Sequence, residues 1–354
     1  MCILRITRNY VYRRDVPTLA LHAPDGFLAP WVAAVTAGVS VLVVAIAVKL
    51  AGRQLGDKQI PLAGLAAAFI FATQMFNFPV ASGTTGHLLG GTLAAILLGP
   101  WVGVLVVSVV VAIQALVFAD GGLTALGYNV LNMAIVTAFG GWGVYQLLRR
   151  TLPRNRTGVV AASALAGFCG TVLASVMFSI EWLLGPSADI SFAKVFGAMV
   201  GVHAVIGIGE GLITGIAVGA VVAARPDLVV GAADLDPDEV AVRTPVGTKP
   251  FVIGALLAIA VLAGVVSQFA FDDPDGLERV AADQGFLDQG RDHALGDSPF
   301  ADYGTQGVDD ERASLAVAGL FGAALTLAVG YGLLTASRVT AGGRTRPTPA
   351  PTAS

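Results

Sequence analysis

Long apolar runs separated by short polar breaks organise this chain. They lie at residues 29–51, 61–78, 87–99, 101–119, 126–148, 158–183, 194–223, 251–271 and 314–337. A run of about 18 or more apolar residues predicts a membrane-crossing helix, because lipid offers the backbone no hydrogen-bond partners and a helix satisfies its own. The third run is short for a crossing at about 1.5 Å rise per residue. It is expected to be tilted, half-inserted or broken near Gly90 and Gly91. Two polar stretches interrupt the pattern. Residues 224–250 are acidic with prolines and read as a linker; residues 272–313 are strongly acidic and read as a loop between the last two helices. The tail, 338–354, is rich in Thr, Pro and Ala and is expected to be disordered. The pattern predicts an all-α, polytopic membrane protein: a seven-helix bundle over 21–223, then a two-helix hairpin over 251–337.

Composition agrees. Of 354 residues, 55% are hydrophobic and 13% charged, against about 25% charged in a soluble domain. The 44 glycines suit closely packed membrane helices. A net charge of -3 with no basic stripe gives no footprint for nucleic acid. Cys2 and Cys169 stand far apart and match no disulfide or zinc spacing.

Charge sets an expected orientation, because Lys and Arg stay on the cytoplasmic side. Lys49, Arg53 and Lys58, then Arg149, Arg150, Arg154 and Arg156, then Arg225, Arg243 and Lys249, then Arg338, Arg344 and Arg346 all fall on one side when the chain enters its first helix from outside. The opposite loops carry Asp120, Glu181 and Asp189, with Lys194 at a helix boundary, and then the acidic 272–313 stretch. The C-terminus is therefore expected in the cytoplasm. Residues 1–20 break the rule, since Arg5, Arg8, Arg13 and Arg14 would lie outside, and they lack the apolar core of a secretory signal.

Candidate chemistry is sparse. No GxxxxGK[ST] phosphate loop, HExxH pair or Ser/His/Asp arrangement is present. The four histidines are His22, His87, His203 and His293. His22 lies in Leu21-His22-Ala23-Pro24-Asp25-Gly26-Phe27-Leu28, and His87 in Ser82-Gly83-Thr84-Thr85-Gly86-His87-Leu88-Leu89-Gly90-Gly91. Both fall at the expected external face. A Gly/Ser/Thr-rich turn at membrane depth requires protein or a water-filled cavity around it, and a neutral imidazole there suits a late first-row divalent metal. The competing reading is a plain interfacial hydrogen bond for each ring. Gln74, Asn77, Asn129 and Asn132 either orient ligands or hydrogen-bond between helices. Glu210 is an ionisable residue inside an apolar span, seven residues after His203 on about the same face, where the two could pair. Asp25 and Asp120 read as turn formers that add negative field at the mouth, and His293 as solvent-exposed.

These segments resemble the CbiM/NikM family, the substrate-capture components of cobalt/nickel energy-coupling-factor transporters. The likeness begins at Leu21–Leu28, close to that family's amino-terminal Met-His-Ile-Pro-Asp-Gly-Phe-Leu. It continues through Gly86-His87-Leu88-Leu89-Gly90-Gly91, Leu97-Leu98-Gly99-Pro100-Trp101, Gly121-Gly122-Leu123-Thr124-Ala125-Leu126-Gly127 with Asn129, and Glu210-Gly211-Leu212-Ile213-Thr214. The resemblance implies a near-planar site for Co2+ or Ni2+ as transported substrate. Its donors would be the Leu21 amine, the His22 backbone nitrogen and ring, and the His87 ring, with Asn129 and Asn77 behind them. Such a site needs residue 21 as the mature amino terminus. Residues 1–20 are thus expected not to belong to the native chain, through translation starting at codon 21 or, as a second route, cleavage after Ala20. Gly-His-Leu around His87 tilts the metal toward nickel. Pro274-Asp275-Gly276-Leu277-Glu278 and Ala301-Asp302-Tyr303 resemble the PDGLE-type domain, a counterpart of the small CbiN/NikN subunits. Its loop holds twelve Asp/Glu against three Arg, and reads either as solvated or as a contact with the mouth that assists loading. The implied partners are two ATPase subunits, a transmembrane coupling subunit and the bilayer of a prokaryotic plasma membrane, with no enzyme activity in this chain. The rival readings are a stand-alone metal channel or carrier, and an intramembrane enzyme using His203 and Glu210.

Overall fold

A computed structural model describes residues 22–54, 56, 59–81, 83–236 and 246–340. The apolar runs form helices α1 (Pro30–Gln54), α2 (Gln59–Gln74), α3 (Gly91–Leu98), α4 (Pro100–Val117), α5 (Leu126–Arg149), α6 (Arg156–Leu184), α7 (Phe192–Ala224), α8 (Thr248–Gly264) and α10 (Glu311–Thr340). The hairpin loop contributes a short amphipathic α9 (Gly276–Gln284). Seven of these helices are long and apolar enough to cross a membrane, and α2 is a shorter apolar helix. The protein is an all-α, multi-pass membrane protein.

The third run resolves as a half-helix. Gly90 takes φ +81 and α3 runs only eight residues to Leu98, about 12 Å. Gly99 and Pro100 then start α4 at once, with Pro100 at the first turn, where its missing N–H costs nothing. The second run ends sooner than its hydropathy suggests. After Gln74 the chain leaves the helix and forms a small antiparallel ribbon, β1 (Phe78–Ala81) with β2 (Thr84–Gly86), that leads into His87. Within α5 a π-helical stretch spans Val130–Val136.

Close packing explains the core. Along α7, Gly207, Gly211 and Gly215 face Phe168 and Ala164 of α6 so closely that a Cβ on Gly211 would lie 2.5 Å from the Ala164 carbonyl. Small residues at this spacing let membrane helices dock by van der Waals contact where no hydrophobic drive exists. α2, α3 and α4 form the centre, with Phe71, Leu88, Leu93, Ile96 and Leu105 all buried. α10 lies against α2, its Gly322 tight on the Phe71 ring, and Gly319 backs onto the Ala263 carbonyl of α8.

At the end away from His87, the start of the polar stretch after α7 belongs to the bundle. Leu228, Val229, Ala232 and Leu235 are buried, the Tyr145 hydroxyl donates to the Gly231 carbonyl at 2.6 Å, and Arg149 pairs with Asp234 at 2.9 Å. Composition reads this stretch as linker because its charges conceal a short buried apolar set. Residues 237–245 and 341–354 lie outside the described residues, and α10 continues to Thr340, past the point where the sequence suggests disorder.

Candidate metal site

The segment after His22 is held like a strap across one end of the bundle. The Ala23 carbonyl accepts hydrogen bonds from Gly122 N at 3.1 Å and Asn129 Nδ2 at 3.0 Å, and the Pro24 carbonyl accepts from the Tyr128 hydroxyl. Asp25 Oδ1 accepts three hydrogen bonds, from Thr124 N, Thr124 Oγ1 and Ala125 N, and so caps the start of α5 from a distant part of the chain. Phe27 is fully buried. Gly121, at φ +82, lies against this strap, where a Cβ would come 2.7 Å from the His22 Cβ. The result is a buried His22 ring, with neither ring nitrogen hydrogen-bonded among the described residues. Its backbone N–H donates to Asp120 Oδ1 at 3.2 Å, and the same oxygen lies 3.5 Å from Nδ1. Burial holds the ring below its ordinary pKa, against the pull of Asp120. His22 is therefore neutral at pH 7, the form that binds metal.

His87 arrives from the ribbon beside it. The two ring centroids are 5.3 Å apart, edge to face. The His87 Nδ1–H donates to the Leu88 carbonyl at 3.1 Å, which leaves the Nε2 edge toward Asp275 Oδ2 at 3.7 Å. Burial works against a charge on this ring, but the hydrogen bond and charge of Asp275 outweigh it and raise the pKa to about 9.

Asp275 comes from the hairpin loop, which packs into the mouth. The Thr85 N–H donates to the Pro274 carbonyl and the Thr85 hydroxyl to the Asp273 carbonyl. Asp275 caps α9 in a reciprocal box with Glu278, Oδ1 accepting from Glu278 N at 2.8 Å. Burial and then the Asp275 charge push the Glu278 carboxyl up to about 9. Further along, the Tyr303 hydroxyl donates to Asp120 Oδ2 at 2.6 Å and accepts from Gln114 Nε2 at 3.1 Å. Burial, followed by Asp120, carries the Tyr303 phenol well above its usual range. Ala119, Asp302 and Tyr303, the described non-glycine residues with positive φ, all sit at this junction. Strained backbone concentrated at one contact marks a place the surroundings over-determine.

The structure thus brings His22 and His87 together and sets Asn129 behind the His22 strap. Leu21 and residues 1–20 lie outside the described residues. Asn77 offers its carbonyl to Phe271 N, while its side-chain oxygen has no partner. Asn132 bonds Glu181 across helices, at 2.8 Å. His203 and Glu210, which the sequence leaves able to pair, do not do so. His203 Nδ1–H instead donates to the Met199 carbonyl of its own helix, and Glu210 turns to the backbone after His87. His293 is half-buried rather than solvent-exposed, its Nδ1 accepting from Leu295 N. The acidic loop, open to two readings from composition, contacts the mouth. Sequence reasoning missed that Asp275 reaches His87 and Tyr303 reaches Asp120. The Asp-x-x-Glu box was a readable signal for the helix start, but not for what it touches. Among the described residues no three His, Cys, Asp or Glu side chains gather closely enough to hold a metal ion by themselves. Two imidazoles of this kind need further donors from backbone or terminus.

Residues 22–228 match the family described as cobalt uptake substrate-specific transmembrane region (CbiM), and residues 249–338 match the PDGLE domain. The putative fused nickel transport protein NikMN of Archaeoglobus fulgidus is 37% identical over 314 residues, 88% of this chain and 98% of that one. The cobalt transport protein CbiM of Sorangium cellulosum is 34% identical over 216 residues, 59% of this chain and 94% of that one. The crystal structure of a truncated transition metal transporter is similar at a TM-score of 0.51 and 35% identity, covering 57% of this chain and 98% of the other. With its helical bundle, its facing histidines and its hairpin in the mouth, this chain belongs to the CbiM family of metal-transport proteins and carries a C-terminal PDGLE domain.

Proposed function

We propose that the chain captures Ni2+ or Co2+ from outside the cell at the His22–His87 site and delivers it inward as the substrate-specific part of an ATP-driven uptake system. The observation that carries this reading is the His22 ring, buried beside a second imidazole with neither nitrogen hydrogen-bonded among the described residues. A buried polar ring without hydrogen bonds calls for an explanation, and a cation between two nitrogen donors supplies one. The Leu21 amine and the His22 backbone nitrogen complete a plane of nitrogens suited to Ni2+, and to Co2+ less strictly. This assigns residue 21 as the mature amino terminus, 22–223 as the rest of the capture unit, 224–250 as a cytoplasmic connector whose start packs onto the bundle, and 251–337 as an accessory unit. Loop charge supports a site facing outward and a cytoplasmic C-terminus. The names of the relatives support nickel or cobalt as cargo. An ATPase pair and a membrane coupling subunit would dock at the cytoplasmic helix ends.

Metal content of the purified protein tests the site. The wild type is expected to hold one equivalent of Ni2+ or Co2+, and His22→Ala and His87→Ala to hold little; stoichiometric metal in both variants would refute the assignment. Mass spectrometry of the mature amino terminus is expected to begin at residue 21, and intact peptides across Ala20–Leu21 would overturn that part. Uptake in cells should require co-expressed ATPases. Uptake without them would favour a free-standing carrier.

A further inference from the structure

We propose that Glu210 is a positioning residue for the metal site, fixing the His87 loop through two backbone hydrogen bonds. The inference rests on His87 as a metal ligand and deepens that assignment. The first N–H groups of a helix have no partner within it, and the N-terminus of α3 is buried, with Gly90 offering no side-chain cap. Glu210 from α7 holds the two residues that lead into the helix. Its Oε2 accepts from Leu89 N at 2.7 Å and its Oε1 from Gly90 N at 3.1 Å, and the side chain is 1% exposed. A carboxylate at a helix N-terminus is favoured by the aligned peptide dipoles as well as by the hydrogen bonds. From the other side, Gln74 Nε2 of α2 donates to the Leu89 carbonyl at 3.0 Å. Residue 89 is gripped between two helices. The His87 ring is tied to the same segment, because its Nδ1–H donates to the Leu88 carbonyl. Moving the 88–90 backbone moves the imidazole.

The test uses Ni(II) titration of the purified full chain, together with the visible absorption band of the bound ion, which reports ligand geometry. Glu210→Gln keeps the length but turns an NH2 group toward a backbone N–H. It is expected to weaken Ni(II) binding about 10- to 100-fold, the range for groups that orient a ligand, and to shift the band. Glu210→Ala should do at least as much. An unchanged affinity and band would overturn the proposal, and so would a weaker affinity with an unchanged band, since that is a loss of general stability. Should neither Glu210 variant be recovered folded, Gln74→Ala, which releases the opposite side of the grip, must shift the same band, and a wild-type band there overturns the proposal. His87→Ala separates the two levels. Full metal retention in it removes the ligand assignment, whereas lost metal in it alongside a wild-type Glu210→Gln removes only the positioning role.

Discussion

The bundle and the hairpin are both apolar, yet their helices are covered to different degrees. In the bundle, 67% of the α4 span and 56% of the α5 span are buried inside the protein, against 28% for the peripheral α1; in the hairpin the figures are 39% for α10 and 17% for α8. α10 rests on α2, and α8 is the least covered of the spans. The hairpin's polar loop is the reverse. Phe286 is fully buried between Phe27 and Trp182, with ring centroids 5.2 and 4.5 Å away, and Asp275 and Tyr303 reach buried charges of the bundle. The hairpin is fastened to the bundle in two ways, by α10 packing along α2 and by the loop that covers the site. A membrane offers little hydrophobic drive to bring two helices together, so the close contact of α10 with α2 is joined by a plug of aromatic and polar contacts from the loop.

The largest expected break of this comparison is Phe286→Ala. Removing a buried aromatic typically costs about 3–5 kcal/mol, and here the loss should fall on loop docking. Limited proteolysis is expected to cut within 272–313 while the bundle stays resistant; simultaneous loss of both would mean the two regions are one cooperative unit. Next come the polar residues on each side of the contact. His87→Ala, from the bundle, should weaken Ni2+ binding by more than about 100-fold, beyond the range of groups that merely orient ligands, while Asp275→Asn, from the hairpin, should cost only about tenfold. Equal losses, measured by titration, would make Asp275 a ligand in its own right.

Tyr303→Phe is a smaller lever. It leaves Asp120 Oδ2 buried without its donor, which costs about 1–3 kcal/mol, and it should raise hydrogen exchange around 298–305 without moving metal affinity as far as His87→Ala does. The smallest effect is a pH dependence. Glu278 is raised from 4.5 to about 9, so the docked loop favours its protonated form. The stability it gives is full below pH 4.5, declines as pH rises and reaches its lowest level above about 9. Protection of residues 276–284 should fall across that window in the wild type and stay flatter in Glu278→Gln, provided other groups are matched at each pH.

The fold was legible in the sequence to the extent that lipid dictates it. A run of apolar residues can span a bilayer only as a helix, so the long helices follow from hydropathy, and Gly90-Gly91 marked the break before α3. Local turn chemistry was legible too, in the Asp-x-x-Glu start of α9 and in Pro100 after Gly99. The motifs around His22 and His87 singled out two rings without fixing how they face one another. Partners distant in the chain were decided only by the tertiary structure: Asp25 capping α5 across 99 residues, Glu210 reaching the backbone of Leu89 rather than His203, and Tyr303 meeting Asp120 across 183. The physical reason is range. Hydropathy and turn preference act over a few residues and are written into each segment. A buried carboxylate or imidazole takes whatever donor packing brings near it, and packing joins segments that the sequence keeps far apart.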